Sequence, residues 1–219
     1  GTAATARGAG ASAPGTNSGA VGDGAVAVGY ASFAGALGST ALGQGAGASF
    51  QDSVAIGRDA QDSGANSVLV GASASGAAGS TALGYNASAN NVGDVALGNG
   101  SVTAAVVNTP NVTIDGTTYN FAGTTATSTV SVGVAGAERT ITNVAAGRIS
   151  DTSTDAVNGS QLYATNQSIE TLSNEVDANA IHYFSVNDNG VQGGNYNNNG
   201  ATGTNSIAVG QNTVSAAHN

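Results

Sequence analysis

The stretch "SVAIG" at Ser53–Gly57 holds no carboxylate, histidine or other group able to do acid, base or nucleophilic work, yet the chain keeps repeating it. "AVAVG" ends at Gly29, "STALG" at Gly43, "SVLVG" at Gly71, a second "STALG" at Gly84 and "DVALG" at Gly98. Successive closing glycines lie 14, 14, 14, 13 and 14 residues apart, and a seventh copy, "SIAVG", ends far downstream at Gly210. A fixed period of this kind marks stacked structural repeats.

Within each copy the apolar positions are two apart: Val26 and Val28, Thr40 and Leu42, Val54 and Ile56, Val68 and Val70, Thr81 and Leu83, Val95 and Leu97, Ile207 and Val209. Alternation with β-branched residues is strand periodicity. These side chains are expected to point inward as the core of the repeat. The residue between them is Ala in five of the first six copies and Leu69 in the other, so a second surface could approach it closely. The closing glycines, Gly29, Gly43, Gly57, Gly71, Gly84, Gly98 and Gly210, permit the positive φ of an abrupt turn.

Fourteen residues suffice for one strand, a turn, a return segment such as "RDAQDSG" (Arg58–Gly64) and a second turn, which together make one coil of a parallel solenoid. Coils would stack ~4.8 Å apart and pack only on their neighbours. Two inward residues per coil make a thin core, so further burial by self-association is expected.

Composition narrows the function. The 219 residues include 34 Gly, four arginines (Arg7, Arg58, Arg139, Arg148), no lysine and 13 carboxylates, for a formal charge of -9. A chain without clustered cations cannot neutralise a phosphate backbone, so neither nucleic acid nor an anionic membrane surface is an expected partner. Cysteine and methionine are absent, and no apolar run is long enough to cross a membrane as a helix.

The beat stops after Gly98. "NVTI" (Asn111–Ile114), the turn pair Asp115–Gly116 and "TTYNF" (Thr117–Phe121) read as a hairpin. "TVSVGV" (Thr129–Val134) and "RTITNV" (Arg139–Val144) alternate across "AGAE", completing a small antiparallel module over 103–146. Thr154 and Asp155 then offer an N-cap and a first-turn charge for a helix. Leu162, Ile169 and Val176 are heptad steps with Leu172 between. So short and polar a helix is marginal alone and becomes plausible as a stalk segment in a bundle.

Six copies of the phrase in register resemble the YadA-like head repeats of trimeric autotransporter adhesins, and "DAVN..QL" (Asp155, Ala156, Val157, Asn158, Gln161, Leu162) resembles the neck of that family. The hairpin module with "RTITNVAAG" at its end looks like the β-prism modules that precede such necks. The resemblance implies a mainly β fold: a left-handed parallel β-roll solenoid of 14-residue repeats, homotrimeric, then a β-prism-like hairpin module, a neck and a short trimeric coiled coil. The implied organisation is a head over 1–102, with 1–24 degenerate and readable as worn coils or a frayed end, then the prism-like module over 103–146. A neck over 147–161, a stalk over 162–182 with core Ile169, Leu172 and Val176, and the start of a further head over 183–219 follow.

The resemblance further implies a non-enzymatic adhesin on the bacterial outer surface that binds itself as a homotrimer. Its other partners would be host matrix proteins or cell-surface receptors, with autoaggregation possible. It is expected to hang from an outer-membrane anchor lying C-terminal to these residues in the parent. No catalytic set, metal site or cofactor is expected. His182 and His218 have no triad partners or zinc-ligand spacing, and glycine-rich runs such as Gly43–Phe50 lack the Lys-Ser/Thr ending of a phosphate loop. A solenoid acyltransferase would need a six-residue beat and a catalytic histidine, and an ice-binding solenoid a regular Thr ladder. Asn179, at a core heptad position, is either an anion-binding layer or a solvated helix end. The exposed aromatics Tyr30, Phe33, Phe50 and Tyr85 are the first candidates for ligand contact.

Overall fold

The computed structural model describes residues 1–179, 187 and 189–216. It forms two units, Gly1–Asn158 and Gly159–Asn219.

In the first unit each phrase is a short strand: Val26–Val28, Thr40–Leu42, Val54–Ile56, Val68–Val70, Thr81–Leu83 and Val95–Leu97. They pair in parallel and in register, so Val54 lies beside Val68 and Ile56 beside Val70. The return segments form a second parallel sheet from Thr5–Ala6, Gly19–Ala20, Phe33–Ala34, Gly47–Ala48, Gln61–Asp62, Ser75–Gly76 and Ser88–Ala89. Two seven-stranded sheets joined coil by coil make a parallel β-solenoid. Its rungs run through residues 1–24: Thr5 N–H donates to Ser18 O at 2.8 Å, and Ser12 bridges Val26.

The inward assignment of the apolar pairs is corrected. The lumen is lined by the residues between them, Ala27, Ala41, Ala55, Leu69, Ala82 and Ala96, each 0% exposed, facing Ala20, Ala34, Ala48 and Ala89 of the return strands. Val26, Val28, Val54, Ile56, Val70 and Val95 are half-buried on the outside of the coil. Leu42, Val68, Leu83 and Leu97 are 42%, 42%, 49% and 37% exposed. A period of two says that alternate residues share a face and does not say which face is inside. A coil of fourteen residues brings its two sheets too close for two layers of branched side chains, so the small set fills the lumen.

One lumen position is large. Leu69 sits where the other coils have Ala, and the return strand of its coil carries Gly76 where Ala20, Ala34, Ala48 and Ala89 stand in other coils and Asp62 in the one before. A Cβ on Gly76 would lie 2.7 Å from Leu69 Cδ2. This large-for-small exchange falls in the one coil of 13 residues, and register is restored by Thr81 pairing with Val68.

The serine that opens the phrase has a structural part. Ser39, Ser53 and Ser80 are fully buried and each hydroxyl donates to the carbonyl three residues earlier at 2.7 Å, whereas the equally buried Ser67 hydroxyl, in the Leu69 coil, makes no hydrogen bond. Coil corners place Asn17, Ala31, Asp59, Ser73 and Asn86 in the left-handed region at matching positions. The closing glycines Gly29, Gly43, Gly57, Gly71, Gly84, Gly98 and Gly210 have φ between 104° and 147°.

After the last coil, Asn111–Ile114 and Thr117–Asn120 form the expected antiparallel hairpin, exposed on both faces. The second expected hairpin is corrected. Val130–Ser131 adds in parallel to Val95–Leu97 as the end strand of the phrase sheet, Val134 bridges only Ala137, and residues 139–146 form no strand. With no face to cover them within one chain, these alternating segments do not pair as a sheet.

In the second unit a 20-residue helix, α1, runs Gly159–Ala178 without a buried residue. It starts later than the Thr154/Asp155 cap reading placed it. Asp155 is engaged by Arg148, and Asn158, a residue type favoured at N-caps, immediately precedes the first turn. Further along, Ala201 bridges Ser215 in parallel, and the half-coil around the last phrase is held by Asn195, whose amide donates to Ala208 O at 3.2 Å and accepts from Gly200 N–H at 2.7 Å. Ile207 and Val209 are exposed there.

Candidate interaction surface

The solenoid presents two outer faces. On the phrase sheet, in-register stacking builds two straight columns: Val26, Thr40, Val54, Val68, Thr81, Val95 and then Val130 in one, and Val28, Leu42, Ile56, Val70, Leu83 and Leu97 in the other. This is a continuous apolar ladder, six coils long, that one chain leaves in water. Patches of that kind mark association surfaces.

The return sheet presents a contrasting face. Its outward column is Thr5, Gly19, Phe33, Gly47, Gln61, Ser75 and Ser88, small or polar except for Phe33. Tyr30 and Tyr85 occupy equivalent corners and are exposed, as is Phe50.

The open end of the solenoid is closed by two charged residues that sequence reasoning passed over. Asp94 stands where every other phrase but the first begins with Ser, and it is 1% exposed. Its carboxylate accepts from Thr129 N–H at 2.8 Å and from the Asn91 amide at 2.8 Å, tying the end strand to the last coil. Burial acts to raise its pKa, but the hydrogen bonds from Thr103, Thr129 and Asn91 prevail and bring it down to about 2. Arg139 lies over the same end, donating to Ser101 Oγ at 2.8 Å and to the carbonyls of Asn99 and Val132. The signal for Asp94 was the single "D" in "DVALG" against "S" in its neighbours.

Because the folded pKa of Asp94 is depressed, its contribution is complete above the ordinary value of 3.8 and is lost as pH falls through about 2. The shift corresponds to about 2 kcal/mol. Urea unfolding at pH 6 and pH 2 should therefore show a loss in the native chain that exceeds the loss in Asp94→Asn by that amount. Equal losses would remove Asp94 from the end clamp.

In the neck, Arg148 forks onto Asp155, Nε to Oδ2 at 2.7 Å and Nη2 to Oδ1 at 3.1 Å, which lowers the Asp155 pKa. Asn158 donates its amide to Val144 O at 3.1 Å. Ala156 and Val157 are exposed, Val157 among the apolar residues most open to water in this segment. Gln161 and Leu162 lie in the first turns of α1, and Leu162, Ile169, Leu172 and Val176 are all exposed at their heptad positions. Just past the end of α1, the Asn179 amide donates to Glu175 O at 2.8 Å. Among the described residues no group of three or more His, Cys, Asp or Glu is placed to hold a metal, and no helix is long and apolar enough to cross a membrane. His182 and His218 lie outside the described residues.

Comparison with known families agrees with this geometry. The YadA head domain repeat matches residues 20–46, 34–60, 75–101 and 198–219, and the coiled stalk of trimeric autotransporter adhesins matches 140–182. This chain belongs to the trimeric autotransporter adhesins. The adhesin BtaE of Brucella suis biovar 1 (strain 1330) is 64% identical over 80 residues, covering 36% of this chain and 11% of that protein. The adhesin EhaG of Escherichia coli O157:H7 is 43% identical over 88 residues, 34% of this chain and 5% of that one. This adhesin chain thus spans a small fraction of the curated relatives it matches. Among solved structures, the C-terminal YadA-like domain of a Burkholderia pseudomallei protein is 58% identical, covers 49% of this chain and 54% of that one, and superposes with a TM-score of 0.47.

Proposed function

We propose that the chain is a non-enzymatic adhesive segment of a bacterial surface fibre. Three copies associate along the apolar ladder of the phrase sheets, and the α1 helices continue that association through Leu162, Ile169, Leu172 and Val176. The observation that carries this reading is the ladder itself: two columns of branched side chains over six coils with nothing among the described residues to cover them. Full burial of one Val, Leu or Ile side chain contributes about 1.5–3 kcal/mol, so covering the ladder supplies the stability that an alanine-lined lumen lacks.

The return sheets, the corners and the hairpin are then left facing outward. Host matrix proteins or cell-surface receptors are the proposed partners, met by three identical surfaces whose weak contacts add as avidity. Display at the outer membrane, through an anchor lying outside these residues, follows from the same reading. An ice-binding solenoid is disfavoured because Thr40 and Thr81 are the only threonines in a column otherwise made of valines and so form no regular ladder. A solenoid acyltransferase is disfavoured by the fourteen-residue beat.

The test is attachment of beads coated with the chain to matrix-coated surfaces and to cultured cell layers. Binding above that of albumin-coated beads, competed by the soluble chain, is the expected result. Bead retention no better than albumin on every surface would contradict the adhesive reading.

A further inference from the structure

Phe33 lies down on the return sheet instead of standing out from it. Its ring spreads over Gly19 of the preceding coil and over Gly35: a Cβ on Gly19 would meet Phe33 Cδ2 at 3.1 Å, and one on Gly35 would meet Cε1 at 2.6 Å. Two glycines in outward positions thus make a bed for an aromatic ring whose other face is open to water, the residue being 45% exposed. The ring floors one end of a groove of about 440 Å³ that is also lined by Thr5, Arg7, Asn17 and Val21. That volume lies within the ~300–1,000 Å³ of small-ligand sites.

Arg7 is set apart from the other arginines. Arg58 pairs with Asp59, Arg148 forks onto Asp155, and Arg139 is spent on the carbonyls at the solenoid end. Among the described residues Arg7 has no acidic partner, although the chain carries a net charge of -9. A planar fork of donors is therefore open beside the groove, ready for a carboxylate. Thr5 is two coils from Phe33 in the same outward column and Arg7 is two residues past Thr5, so the backbones that carry cation and ring lie about 10 Å apart along the stack, with the ring leaning over Gly19 into that gap. That is the reach of a disaccharide.

We propose that this groove binds a carboxylate-bearing sugar, with the acid on Arg7 and the apolar face of the adjoining sugar ring on Phe33. An aromatic face attracts the slightly positive C–H edge of such a ring, while Thr5 and Asn17 supply hydroxyl and amide groups for the sugar's own hydroxyls. The assignment rests on the adhesin reading, in which the phrase sheet is covered and the return sheet is free.

Titration of the full chain with 3′-sialyllactose and with lactose, followed by saturation-transfer NMR, tests it. Sialyllactose should bind about fivefold more tightly than lactose, the upper end of what an exposed ion pair contributes. Arg7→Gln should erase that preference, Phe33→Ala should weaken both sugars, and Gly35→Ala, which lifts the ring without touching Arg7, should do the same. Arg58→Gln should change nothing. Equal binding of the two sugars, a preference that survives Arg7→Gln, or affinities left unchanged by Phe33→Ala overturns the proposal. Sedimentation of the same samples separates the two readings, since assembled chains that bind neither sugar end the groove and leave the fibre intact.

Discussion

Gly57→Ala should destabilise the solenoid by about 3 kcal/mol or more, through two costs that add at one atom. Gly57 has φ of 135°, a conformation that side-chain-bearing residues rarely adopt. The new Cβ would also stand 2.4 Å from Gly71 O and 2.5 Å from Gly71 C, backbone of the next coil that cannot move without opening the ladder. Gly24→Asn is the matched control. Gly24 has φ of 65° with nothing within 4 Å of an added Cβ, and the equivalent corner is Asp52 or Asn66 in later coils. It should shift the urea midpoint very little. Similar losses in both variants would show that backbone stacking at the closing glycine is not what holds coil to coil.

The repeat was legible because each coil must present the same residues to the same neighbours, and the closing glycine is where identical backbone meets identical backbone. The inside of the coil was not legible in the same way. Val54 and Ile56 look like a core and Ala55 like a gap, yet the gap-sized residue is the one that fits between two sheets one coil apart. The clue was Leu69, whose bulk is tolerated only because Gly76 gives up a Cβ across the lumen. Ser53 was equally opaque, since nothing in "SVAIG" says that its hydroxyl turns back onto Phe50 O.

Beyond the coils, the Asp115–Gly116 turn could be read directly because its geometry is local. The fate of Arg139–Val144 could not, because it depends on faces that one chain does not cover. The helix could be read from its heptads, but its first residue could not, because Asp155 was free on paper and is held by Arg148 in the fold.

The second large effect concerns the ladder. Ile56 and Val70 are neighbours in one outward column, and neither contributes to the lumen. Asp at both positions leaves the coil interior untouched while placing two unpaired charges per chain in the proposed contact, each costing several kcal/mol if buried. The Ile56→Asp, Val70→Asp chain should therefore lose association at concentrations where the native chain is fully assembled. Had these residues lined the lumen, the double change would instead abolish the β-sheet circular dichroism of the single chain.

The native chain in the same sedimentation experiment is the most direct test of association along the ladder. It should run as one species at three times the 20.8 kDa of the chain, with the double variant at the mass of one. A native chain that sediments as a stable 20.8 kDa monomer, its apolar ladder open to water, would contradict that association.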